Sequence, residues 1–121
     1  MRQKVHSVSY LAKAEFEFKN GVYDLVAIPS GAEVVKVSLE VVGNPTAGTV
    51  SVGFKDESTK NYFLTLEKNN NSGNNATSSK DYTATSDKVV AAEVKQAASG
   101  TDVKGVLRVL YFLPSVIEVE Y

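Results

Sequence analysis

Residues 33 to 41, Glu-Val-Val-Lys-Val-Ser-Leu-Glu-Val, alternate apolar and polar side chains with a period of two. Val35, Val37, Leu39 and Val41 therefore fall on one face and Lys36, Ser38 and Glu40 on the other, the pattern of a strand with one face buried. The same rhythm returns in Ala14 to Phe18, Thr49 to Phe54, Tyr62 to Leu66 and Val116 to Tyr121, with Gly, Pro, Asn or Ser clusters between the runs. A chain built this way folds as an all-β domain of short strands and turns.

With 121 residues, one domain spanning 1 to 121 is expected. About eight strands at this spacing predict an antiparallel two-sheet β-sandwich, jelly-roll-like, with barrel closure as the alternative. The first segment, Lys4 to Phe18, reads as a long edge strand whose polar beginning, residues 1 to 12, forms an extended N-terminal arm. Asn20-Gly21 is a two-residue turn signal that predicts a hairpin with Val22 to Ile28. A second hairpin is expected between the Val-rich strand and Thr49 to Phe54, across the Gly43 to Gly48 turn.

Tyr62 to Leu66 fits a strand or one helical turn. The Asn- and Ser-rich stretch 69 to 80 reads as an exposed loop, because it has too little apolar area to offset its ordering entropy. Asp87 to Lys95 fits strand better than helix, since Val89, Val90 and Val94 carry its apolar content. Val106 to Phe112 is nearly continuous in apolar character and predicts a central strand covered on both faces. After the Pro114-Ser115 break, Ile117, Val119 and Tyr121 share a face of the last strand.

Thirteen Lys plus Arg against 14 Asp plus Glu give a net charge of -1, which provides no long-range field for nucleic acid or an anionic membrane. Without cysteine there is no disulfide, thiolate metal site or cysteine nucleophile. The basic N-terminus is not followed by the apolar core of roughly 7 to 15 residues that a secretory signal needs, which points to a cytosolic product. No apolar run approaches the ~20 residues that span a bilayer.

The single histidine, His6, cannot supply a triad or a multi-His metal site, and the carboxylates Asp56, Glu57, Asp81 and Asp87 show no calcium-loop spacing. No Gly-rich phosphate loop is present, and the Asn70-Asn71-Ser72 and Asn75-Ala76-Thr77 sequons read as chance matches. Catalytic, cofactor and metal sites are therefore not expected, and the protein is not read as an enzyme. Docking residues are the alternative. Arg2, Lys4, His6 and Tyr10 of the N-terminal segment, with Tyr62 and Tyr82, are the candidate partner contacts. A carbohydrate- or receptor-binding module using Tyr62, Tyr82 and the Asn-rich stretch is the competing reading, whereas Phe16, Phe18, Phe54, Phe63 and Tyr111 sit at core positions.

The run Ile28-Pro29-Ser30-Gly31-Ala32-Glu33-Val34-Val35-Lys36-Val37-Ser38-Leu39-Glu40-Val41, followed by Val50-Ser51-Val52-Gly53-Phe54, resembles small virion proteins of tailed bacteriophages. The Val-rich strand at 87 to 94 and the apolar one at 105 to 113 also look like that group, while the Pro114 break and the strand after it depart from its pattern. The resemblance implies a capsid decoration or cement protein on the virion surface. It also implies a homo-oligomer, a trimer, bridging capsomers by binding the major capsid protein, and it brings no catalytic residues and no cofactor.

Overall fold

A computed structural model describes residues 1 to 43, 45 to 55, 61 to 68, 74 to 97 and 103 to 120. Among the described residues eleven strands follow one another: β1 (Arg2–His6), β2 (Ser9–Glu17), β3 (Gly21–Ile28), β4 (Glu33–Val42), β5 (Gly48–Phe54), β6 (Leu64–Lys68), β7 (Asn75–Ser78), β8 (Tyr82–Thr83), β9 (Lys88–Lys95), β10 (Lys104–Phe112) and β11 (Val116–Glu120). One sheet has the order β2-β10-β4-β7, with the short β8 also pairing β4, and the other has the order β3-β9-β5-β6. This is the jelly-roll arrangement, an antiparallel two-sheet sandwich, and β1 and β11 form a third sheet of two strands.

The core lies between the two larger sheets. Phe16, Val37, Leu39, Val41, Leu107 and Val109 project inward from one; Val26, Ile28, Val50, Val52, Val90 and Val94 project from the other. Each such side chain contributes about 1.5–3 kcal/mol on removal from water. Phe18, Phe54, Phe63 and Tyr111 are buried with them, at the core positions expected of them. Among the described residues, every buried side-chain nitrogen and oxygen has a partner. Lys68, buried at the end of β6, donates from Nζ to Asn74 Oδ1 at 2.5 Å.

Neither expected hairpin forms. β2 pairs β10 and β3 pairs β9, so the Asn20-Gly21 turn carries the chain from one sheet to the other. Phe18 donates its amide to Val103 O and Tyr23 donates its hydroxyl to Lys19 O, which fixes this corner. Likewise β4 and β5 lie in opposite sheets, joined by a crossing that uses positive φ at Gly43 and Gly48. The reason is common to both: local periodicity says which face is buried, but the long apolar strands β9 and β10, arriving late in the chain, take the pairing positions.

The alternation in β4 also shifts phase. Leu110 pairs Lys36 and Tyr111 pairs Val34, so Val35 is the extra residue of a bulge. Val34 is consequently the buried residue and Val35 is only half-buried, reversing the facing expected from the sequence.

The first expected strand breaks at Ser7-Val8 into β1 and β2, and β2 is an edge strand. Tyr62 and Phe63 precede β6 in a bend, and Lys88–Lys95 is strand. Within residues 69 to 80, Asn75–Ser78 forms β7 against β4, while 69 to 73 lie outside the described residues, as do Asp56, Glu57 and Tyr121. β10 is the central strand of its sheet, and its outer face is partly covered by the ion pair of Arg108 with Glu40 at 3.1 Å.

Candidate docking surface

β10 ends where Pro114 follows, and the chain leaves the sandwich as β11. There it meets β1 in unbroken antiparallel register, Arg2 opposite Glu120, Gln3 opposite Val119, Lys4 opposite Glu118, Val5 opposite Ile117 and His6 opposite Val116. The first and last segments of the chain thus make one ribbon. Alternation gives the ribbon a charged face with Arg2, Lys4, Glu118 and Glu120, and a mostly apolar face with Val5, Ile117 and Val119.

Three contacts hold the ribbon's root. Leu113 donates its amide to Val8 O at 2.8 Å, and His6 Nδ1 lies 2.8 Å from Leu113 O. Because a carbonyl only accepts, Nδ1 carries the proton. Pro114 packs on Gly31, whose φ of 89° and bare Cα admit the proline ring. A shallow cavity of about 320 Å³ beside the root is lined by His6, Glu33, Val35, Asp81 and Phe112. Thr83 donates from Oγ1 to the Glu33 carboxylate there.

Nine large apolar side chains are exposed among the described residues, and seven of them, Met1, Val5, Val8, Tyr10, Leu11, Val116 and Ile117, belong to the ribbon and the start of β2. Leu11 is 63% exposed and Ile117 58%. Isolated two-stranded sheets are marginal in water, and clustered exposed apolar side chains mark contact surfaces. What this arrangement can do chemically is bind a macromolecular surface. Among the described residues no group of three or more His, Asp or Glu side chains could hold a metal ion.

The register places all six candidate contacts at one end of the sandwich. Arg2, Lys4 and His6 lie on the ribbon and Tyr10 at the start of β2, edge-on to Tyr111 at 5.9 Å between centroids. Tyr82 pairs with Val34 at the start of β4, and Tyr62 precedes β6. These last two differ from the rest. Tyr82 packs 4.5 Å from Phe54, Tyr62 lies 5.6 Å from Tyr82 and 5.0 Å from Phe63, and Lys80 Nζ sits 3.9 Å over the Tyr62 ring. Their ring faces are engaged by the protein itself, which leaves little flat aromatic surface for a sugar. Sequence reading passed over Val5, Ile117 and Glu118; the signal was there in the apolar alternation after Pro114, without any sign of which strand it would meet.

A chain of the acid-stable capsid of Helicobacter pylori bacteriophage KHP30 is 72% identical to this one over 100% of both chains, with a TM-score of 0.91. A chain of the cyanophage Pam1 capsid asymmetric unit shares the fold at 21% identity and a TM-score of 0.67, covering 88% of this chain and 85% of that one. A chain of the capsid of Ralstonia phage GP4 does so at 15% identity and 0.60, covering 92% and 88%. No protein-family model and no curated protein matches.

Proposed function

This chain belongs to the capsid-associated structural proteins of bacteriophages, whose place is the virion, and from that membership we propose that it decorates the shell and stabilises it by binding the major capsid protein. It does so as a homo-oligomer, a trimer, with the ribbon end of each sandwich turned toward its neighbours and the shell. The observation that carries the reading is the concentration of exposed apolar side chains on the ribbon and the adjoining start of β2, in a fold whose core is otherwise closed. Such a surface costs solvation in the free protein and gains it on docking.

Stabilisation is by mass action. A protein that binds the assembled shell in preference to its dissociated subunits shifts the equilibrium toward the shell. No bond is made or broken, and no cofactor enters.

The test is binding to shells assembled without this protein, read by co-sedimentation, with and without Val5→Asp plus Ile117→Asp. Wild-type chain is expected to pellet with the shells and raise their melting temperature, and the double variant to remain in the supernatant while keeping its β-sheet spectrum. Undiminished binding of the double variant would remove the ribbon from the reading. Shells that refuse the wild-type chain altogether would remove decoration itself.

A further inference from the structure

The two strands of the ribbon carry opposite charge. On the charged face β1 contributes Arg2 and Lys4, and β11 contributes Glu118 and Glu120. Arg2 Nε pairs with Glu120 Oε2 at 3.1 Å within the ribbon, but Lys4 and Glu118, although directly opposite, make no ion pair among the described residues. Both are exposed.

The ribbon also has two unpaired edges. β1 pairs only β11 and β11 only β1, so the outer N–H and C=O groups of each strand have no strand partner among the described residues. Neither strand contains Pro, Gly or a bulge, the devices that ordinarily blunt an edge. Lysine does serve as such a device, yet it protects only against a strand that does not carry matching acid.

We infer that neighbouring copies of this chain join ribbon to ribbon, the basic β1 of one laid along the acidic β11 of the next, so that Lys4 of one copy faces Glu118 or Glu120 of its neighbour. Charge selects this seam over the alternatives: β1 against β1 sets Arg2 and Lys4 against their own kind, and β11 against β11 does the same for Glu118 and Glu120. A β1-to-β11 contact is head-to-tail, and it closes a ring when the rotation between copies allows. Joined in this way, the Val5 and Ile117 side chains of successive copies extend into one apolar band on the opposite face.

This inference deepens the reading of the chain as a decorating oligomer, but its test needs no shell. Sedimentation velocity over a concentration series compares wild type, Lys4→Glu, Glu118→Lys and an equimolar mixture of the two variants. Wild type is expected to associate, and each variant alone to associate about tenfold more weakly or worse. The mixture should recover association in part: where the two variants alternate, one seam sets an acid at 4 against a base at 118 and the next is wild-type, whereas a ring of three keeps one like-charged seam between copies of the same variant, and like charges within each ribbon persist. Circular dichroism confirms folding, and Arg2→Glu with Glu120→Arg replaces either variant that does not fold. A wild-type chain that stays monomeric, variants that associate normally, or a mixture no better than its parts would each overturn the seam. A monomeric chain that still pellets with shells would overturn it while leaving decoration intact.

Discussion

Pro114 sits against Gly31 so closely that a Cβ built on the glycine would lie 2.8 Å from the proline Cβ. Gly31 also holds φ at 89° and donates its amide to Ala84 O at 2.6 Å, so the turn before β4 and the exit of β10 are locked to one another. Gly31→Ala should therefore act twice, straining the backbone and pushing Pro114, and with it the ribbon, away from the body. A loss of about 1–3 kcal/mol is expected in urea unfolding, with weakened shell binding. Gly21→Ala is the control, because its φ is also positive but its nearest neighbour is 3.5 Å away on the Tyr23 side chain and remote from the ribbon. Equal effects of the two on shell binding would contradict this role for Gly31.

His6 ties the ribbon to the sandwich through one hydrogen bond, Nδ1–H to Leu113 O. Removing it should leave the core intact and free the ribbon, since the bond is worth about 0.5–1.5 kcal/mol net and holds only local structure. His6→Ala is expected to speed amide exchange in residues 2 to 6 and 116 to 120 by roughly threefold to tenfold, with an unchanged rate in β9 and β10. His6→Asn, whose amide donates from a similar position, should recover most of the protection. Exchange that rises uniformly across the sandwich would show that His6 supports more than the ribbon.

The two-residue period is enough to read out the sandwich, most of its longer strands and most of its core, because facing is a local property; the break at Ser7-Val8 and the short β7 in the Asn-rich stretch are not legible in it. Phe16, Phe18, Val37, Leu39, Val50 and Val52 are all buried as their spacing requires. Partnership is not local. β1 meets β11 across more than a hundred residues, and the bulge at Val35 exists only because Tyr111 pairs Val34 while Leu110 pairs Lys36. For the same reason Arg2, Lys4 and His6 were recognisable as an unusually polar start to the chain, while Val5 and Ile117 gained meaning only once they stood opposite one another.

Phe16 and Gly105 are cross-strand partners, and the Phe16 ring covers the glycine so fully that a Cβ on Gly105 would overlap its Cζ atom. The ring also stacks on Tyr23, at 5.4 Å and 29°, bridging the two sheets near the β2 to β3 corner. Gly105→Ala has no room without displacing Phe16 and is expected to cost about 1–3 kcal/mol or more. Phe16→Leu costs stability as well, but the double variant should be less destabilised than the sum, because the smaller side chain yields the space. A coupling energy near zero in that cycle, measured by urea unfolding, would refute the contact.

Tyr82 shows whether the aromatic cluster works by packing or by presenting a surface. It lies 4.5 Å from Phe54 and 5.6 Å from Tyr62, and its hydroxyl makes no hydrogen bond among the described residues, so its ring carries its contribution. Tyr82→Phe should be close to neutral. Tyr82→Ala removes two aromatic contacts worth about 0.5–1.5 kcal/mol each, together with the apolar area the ring covers, and should lower the melting temperature by roughly 5–10 °C. If the ring instead served as a platform for a ligand such as a sugar, Tyr82→Ala would leave the melting temperature within about a degree of wild type while abolishing binding in a glycan array. A stability loss shared equally by Tyr82→Phe would mean that the hydroxyl has a partner and that ring packing alone does not explain the residue.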